Sequence, residues 1–133
     1  MFIPNPEIGW DVDVAQSEAD ISFFKNTIAR MLVLANIFFI LASFGILGYF
    51  IRPSGGLFVI NYNVYFGVEI EGVWWQIFIL PSAAALFLLG HFFLAYRFYE
   101  LRERIAAYLM LFGSCLISIG VLIASVGIAF INY

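Results

Sequence analysis

Charge is scarce in this chain. Only 11 % of its 133 residues are Asp, Glu, Lys or Arg, against about 25 % in an average soluble domain. Six basic and nine acidic residues give a formal net charge of −3, which excludes the basic stripe that holds nucleic acid. The single cysteine, Cys115, lies in an apolar run, so no intramolecular disulfide forms and the redox compartment is not legible. The single histidine, His91, falls short of the four His or Cys ligands of a closed zinc site. It also falls short of the two axial ligands usual for haem in a helical bundle, unless a symmetric homodimer supplies the second. No serine–histidine–acid set, glycine-rich phosphate loop or pair of intramembrane carboxylates is present. The expectation is a chain that is not an enzyme and carries no cofactor and no metal.

What fills the chain instead is apolar: 64 % of it is hydrophobic and 20 % aromatic. Three long runs, at roughly 28–50, 73–96 and 105–131, each reach the ~20 residues that cross a ~30 Å hydrocarbon core as a helix. A chain this short cannot bury so much apolar surface in a soluble core. The reading is an all-α integral membrane protein of three transmembrane helices. The stretch before the first run is acidic and polar, the reverse of the basic start of a secretory signal, so the first span is expected to stay in the mature protein.

Orientation follows from the cations. Lys25 and Arg30 flank the start of span one, and Arg97, Arg102 and Arg104 crowd the turn between spans two and three. Only Arg52 lies in the 51–72 loop. Cytoplasmic ends carry the excess of Lys and Arg. The N-terminus and the 97–104 turn are therefore placed inside, the loop and Tyr133 outside, in a plasma (inner) membrane of bacterial type.

Residues 1–16, with two prolines, Gly9 and scattered acids, read as an irregular acidic cytoplasmic tail, and 17–133 as a single three-helix domain. Ser17 and Asp20 form a partial capping box, from which an interfacial helix could run into the membrane. Phe23, Phe24 and Ile28 would then lie on lipid while Lys25 snorkels. Span one is broken at Arg52-Pro53-Ser54-Gly55-Gly56. From Phe58 the period becomes two: Phe58, Ile60, Tyr62, Val64, Phe66, Val68 and Ile70 share one parity, and Asn61, Asn63, Glu69 and Glu71 fall on the other. That is extended chain with one apolar face. Unpaired backbone is excluded from hydrocarbon, so a short hairpin outside the bilayer is expected, its even face against the helix ends. Asn61, Asn63, Glu69 and Glu71 are its binding candidates. Span two opens on the interface anchors Trp74 and Trp75, and Pro81 predicts a kink near 77–81. The short turn to span three makes spans two and three an antiparallel hairpin.

Span three repeats a small residue every seven positions, at Ala106, Gly113, Gly120 and Gly127, with Ala124 close by. Span one carries a weaker small face at Ala35, Ala42, Gly45 and Gly48. Small residues let helix backbones approach where the hydrophobic effect between helices is lost. These faces are expected either to join spans one and three or to meet another chain. Asn36, His91 and Ser114 fall at one depth in the three spans. Intramembrane ionisable groups are costly and are functional candidates by default. An Asn36–His91–Ser114 network would satisfy each member and fix the helix register.

The loop and the start of span two, Tyr62-Asn63 followed by Gly67, Glu69, Gly72 and then Pro81 in a helix, resemble a region of immunity membrane proteins against sporulation-delaying toxins. There a histidine–aromatic–asparagine triplet follows the first helix, then a glycine, an acid and a proline-bearing helix. The same stretch is similar to loops of small uncharacterised membrane proteins of reduced-genome bacteria. The likeness covers about 30 residues; Asn61 stands where the pattern has histidine, and Trp74 stands near its lysine. It implies a folded outer loop joined to its helices.

Three functions are compatible with these residues. One is a scaffold or accessory subunit, with the lipid bilayer and other membrane chains, or a second copy, as partners. Another is a sensor or immunity-type binder acting through the outer loop. The third is a proton- or redox-linked membrane protein centred on His91.

Overall fold

The computed structural model describes residues 22–133; the tail and the Ser17–Asp20 box lie outside the described residues. The elements are α1 (Thr27–Phe50), β1 (Phe58–Asn63), β2 (Gly67–Gly72), α2 (Ile79–Glu100) and α3 (Arg104–Ile131), with short 3-10 turns at Phe23–Lys25 and Trp74–Phe78. With its leading 3-10 turn the second span is 27 residues, beside 24 for α1 and 28 for α3. At about 1.5 Å per residue, each exceeds a ~30 Å hydrocarbon core. Their large side chains point outward, among them Phe38 (65 % exposed), Leu89 (64 %) and Ile123 (67 %). Three helices this long and apolar make the chain a multi-pass membrane protein.

α3 is the central helix. It packs extensively against both α1 and α2, which meet each other far less. α1 buries Ala29, Asn36, Ile40, Ser43 and Leu47. α3 buries Ala107, Leu111, Ser114, Ser118, Ser125 and Ile128, together with Cys115 and Ala129. Both sets step by threes and fours, the spacing of a heptad seam. Cross-contacts advance together along both helices, from Asn26 with Tyr108 through Asn36 with Ser114 to the Leu47–Ile128 cluster, so α1 and α3 run parallel. α2 runs against them.

The start of α1 corrects one expectation. No helix runs through from the tail: Asn26 has extended backbone (φ −71°, ψ 117°), and its side chain caps α1 by accepting from the N–H groups of Ile28 and Ala29. Phe23 is not on lipid. It is 5 % exposed and sits edge-on to Phe92, Tyr96 and Tyr99 of α2, at 5.4–5.7 Å between ring centres. Such pairs add about 0.5–1.5 kcal/mol each beyond area burial. Phe24 and Ile28 do stay exposed.

Near Pro81 the second span changes its winding. The chain turns as a 3-10 helix over Trp74–Phe78, and α2 begins at Ile79. Pro81 therefore lies in the first turn of α2, where its missing N–H has no intrahelical partner to lose. The turn between α2 and α3 is three residues long. Glu103 N–H bonds the Phe98 carbonyl (2.9 Å) and Arg102 N–H the Tyr99 carbonyl (3.1 Å), which is a Schellman closure. Arg102 takes its left-handed position at φ 64°.

The expected hairpin is present. β1 and β2 pair antiparallel from Phe58↔Gly72 to Asn63↔Gly67. Val64, Tyr65 and Phe66 form the loop, closed by Tyr65 N–H on the Asn63 side-chain oxygen (2.9 Å) and by Gly67 at φ 82°, a conformation glycine adopts freely. The even face is only partly covered. Phe58 and Ile60 pack on Leu47, Ile51, Ile77 and Ile128, whereas Tyr62, Val68 and Ile70 stay exposed. The register explains this: between Val59 and Tyr62 it skips Ile60 on β1 and Glu69 on β2. Bulges of this kind break the alternation and twist the strands.

Candidate functional site

The buried polar centre is built on Asn36. It is fully buried, and its amide uses all four of its hydrogen-bonding positions. Nδ2 donates to the carbonyls of Leu32 (2.9 Å) and Leu111 (3.2 Å). Oδ1 accepts from the hydroxyls of Ser114 (2.7 Å) and Ser118 (2.9 Å). The expected Asn36–Ser114 pair is formed, and Ser118, one turn further on, joins it. His91 does not. Its Nδ1 lies 2.8 Å from the Phe87 carbonyl of its own helix; a carbonyl only accepts, so Nδ1 carries the proton. The imidazole lines a shallow groove with Ala83, Leu86, Phe87, Gly90 and Leu94. The sequence brought Asn36 and Ser114 together correctly, whereas His91, half-buried on α2, bonds within its own helix.

The small-residue stripe does not join spans one and three. Gly120, Ala124 and Gly127 are exposed and Gly113 is half-buried. A Cβ built on Gly113, Gly120, Gly127 or Gly45 would meet nothing within 4 Å. Ala35 and Ala42 are half-buried beside the seam, not in it. The helices do touch, but through the neighbouring stripe of Asn36, Ser43, Ser114 and Ser118.

Three of the four loop candidates are brought together. Asn61 Nδ2 donates to one Glu69 carboxylate oxygen (2.7 Å) and Asn63 Nδ2 to the other (3.1 Å). They satisfy one another on the hairpin's exposed face. Glu71 stands apart and lines a groove of about 760 Å³ bounded by the hairpin, the start of α2 and the C-terminal end of α3. Ala83, Ala124 and Gly127 also line it. Ala83 also lines the His91 groove, so one open face runs from the hairpin down to His91.

No protein-family model, curated protein or solved structure matches this chain. Its function is therefore read from this geometry.

Two functional anchors went unnoticed in the sequence. Asn26, besides capping α1, donates to the hydroxyls of Tyr99 (3.2 Å) and Tyr108 (2.6 Å), so one side chain ties all three helices at their basic end. Asn132 ties the opposite end. Its amide donates to the Val59 and Ile128 carbonyls and accepts from Val59 N–H. The available signal was an asparagine just outside each end of an apolar run. Gly72 fixes the junction between the hairpin and the second span. A Cβ there would collide with the Gln76 amide oxygen and with Ile60 Cδ1, and that Gln76 oxygen accepts from Val73 N–H (3.0 Å) to start the second span.

Proposed function

We propose that this chain is a small non-catalytic subunit of a plasma (inner) membrane, with the hairpin outside and the N-terminal end inside, that packs against another membrane chain. One observation carries the reading: the stripe of Ala106, Gly113, Gly120 and Gly127 has nothing packed into its glycines. Glycine in a helix interior costs roughly 0.5–1 kcal/mol against alanine. In membranes that cost is recovered when a second helix comes close. His91 supports the same reading. It makes no hydrogen bond to the Asn36 centre and lines an open groove, and intramembrane ionisable groups are normally covered by protein. The orientation is supported by the cations: Lys25, Arg30, Arg97, Arg102 and Arg104 all fall at one end of the bundle and Arg52 at the other.

Native mass spectrometry of the protein released gently from its own membrane tests this. Partner chains at fixed stoichiometry are expected, and Gly120→Leu is expected to strip them while leaving the monomer folded. A bare monomer, or an assembly indifferent to Gly120→Leu, overturns it. For the orientation, a cysteine replacing Glu103 is expected to react with an impermeant maleimide only after the membrane is opened.

A second reading, a sensor or immunity-type binder acting through the outer loop, has an observation of its own. The hairpin tip presents Val64, Tyr65 and Phe66 at 84, 92 and 82 % exposure. Loss of function from Tyr65→Ser with assembly intact would favour it.

A further inference from the structure

The groove beneath the hairpin is lined mostly by apolar side chains, among them the small residues Ala83, Ala124 and Gly127 with Leu80 and Ile128. Its polar lining includes Asn61, Glu71 and Gln76; Asn61 already donates to Glu69 and the Gln76 oxygen accepts from Val73 N–H. Glu71 is exposed and, among the described residues, its carboxylate makes no hydrogen bond or ion pair. Nor is there a lysine or arginine in the groove lining. Glu71 lies three residues before Trp74, which with Trp75 is exposed at the start of the second span; such indoles sit at headgroup level. The unpaired carboxylate is thus held at headgroup depth, above an apolar channel of small residues.

We propose that this groove is a binding site for one membrane lipid with a primary ammonium head, an ethanolamine phospholipid. The ammonium donates to the Glu71 carboxylate, with Asn61 beside it, and an acyl chain lies along Ala83, Ala124 and Gly127. Charge favours the ammonium. A choline head has the same charge but no N–H to donate, and an anionic glycerol head would meet Glu71 with like charge. Hydrogen bonds between ionised partners are roughly twice as strong as neutral ones, so the head group decides the preference and the groove supplies general affinity. The site uses the outer end of the stripe and stands independently of any partner chain on Gly113 and Gly120.

The test is native mass spectrometry of the purified full chain in detergent, titrated in turn with ethanolamine, choline and glycerol phospholipids of identical acyl chains. The expected result is one retained ethanolamine lipid, favoured about fivefold or more over the other two. Glu71→Ala is expected to level the three lipids. Gly127→Leu, which enters open space and leaves the fold unstrained, is expected to lower retention of all three. Equal retention of the three lipids by the unmodified protein overturns the proposal. So does a preference for the glycerol lipid, an ethanolamine preference that survives Glu71→Ala, or full retention by Gly127→Leu.

Discussion

The side chain of Asn132 grips the peptide of Val59 on both sides. Val59 N–H donates to Asn132 Oδ1 and Asn132 Nδ2 donates to the Val59 carbonyl, each at 2.7 Å. The amide thereby pairs the outer edge of β1 as another strand would. A two-stranded hairpin is marginal by itself in water, so this clasp and the packing of Phe58 and Ile60 position the loop over the groove. Replacing Asn132 by Ala is expected to leave the three helices intact and loosen the hairpin. Hydrogen exchange checks this: exchange should quicken at Val59 and its neighbours on β1 and stay unchanged in mid-α3. Equal protection of Val59 in both proteins would mean that apolar packing alone holds the hairpin.

Asn36 makes three bonds to α3, to the Leu111 carbonyl and the Ser114 and Ser118 hydroxyls. Interhelical hydrogen bonds in membranes average about 0.6 kcal/mol each. Asn36→Leu is therefore expected to destabilise the bundle by about 2 kcal/mol, measured by unfolding in mixed micelles. Ser114→Ala or Ser118→Ala alone should cost less than half of that, because Asn36 keeps its other acceptor bond.

Ser125 makes the opposite case. It lies on the same seam and is fully buried, yet its hydroxyl is without a partner among the described residues. A buried polar group left unpaired costs about 1–3 kcal/mol. Ser125→Ala is expected to raise the midpoint of unfolding, whereas Ser118→Ala lowers it. A fall for both would mean that the Ser125 hydroxyl finds a partner in the membrane.

Much of the architecture was legible because membrane constraints are blunt. Run length located three spans, five of whose six bounds lie within one residue of those observed while the second runs four residues further, to Glu100, and period two located the hairpin. The interior face was misread for a definable reason. Ala106, Gly113 and Gly127 each precede a seam residue, Ala107, Ser114 and Ile128, and Ala35 and Ala42 precede Asn36 and Ser43. One step is about 100° around a helix. Two heptad stripes therefore lie side by side on both helices, and a repeat of seven cannot say which one faces the partner. The choice fell to asparagine and serine, which must find hydrogen bonds in hydrocarbon, and not to glycine. His91 failed to join for a related reason: its depth could be counted from the span's end, but α2 packs mainly on α3 and little on α1, and that choice leaves no mark in the apolar pattern.

Arg102 gives a prediction in the stabilising direction. It occupies the left-handed position of the α2–α3 turn at φ 64°, where both closing hydrogen bonds come from the backbone. An L-residue with a Cβ is penalised there by roughly 1–2 kcal/mol, and glycine is not. Glycine loses part of that gain to the greater freedom of its unfolded chain. Arg102→Gly is therefore expected to stabilise the bundle by about 1 kcal/mol. Unfolding of the purified protein in detergent measures the gain. The same substitution removes one of the five cations at that end of the bundle. Its effect on membrane orientation, read with the maleimide assay, should be small while Lys25, Arg30, Arg97 and Arg104 remain. A sequence that keeps arginine at a position better suited to glycine is explained if charge at this turn is what matters; Arg102→Asn, which tolerates the left-handed conformation but carries no charge, separates the two effects. Stability should rise with Asn as well as with Gly. Any change in orientation should be shared by both and absent from Arg102→Lys.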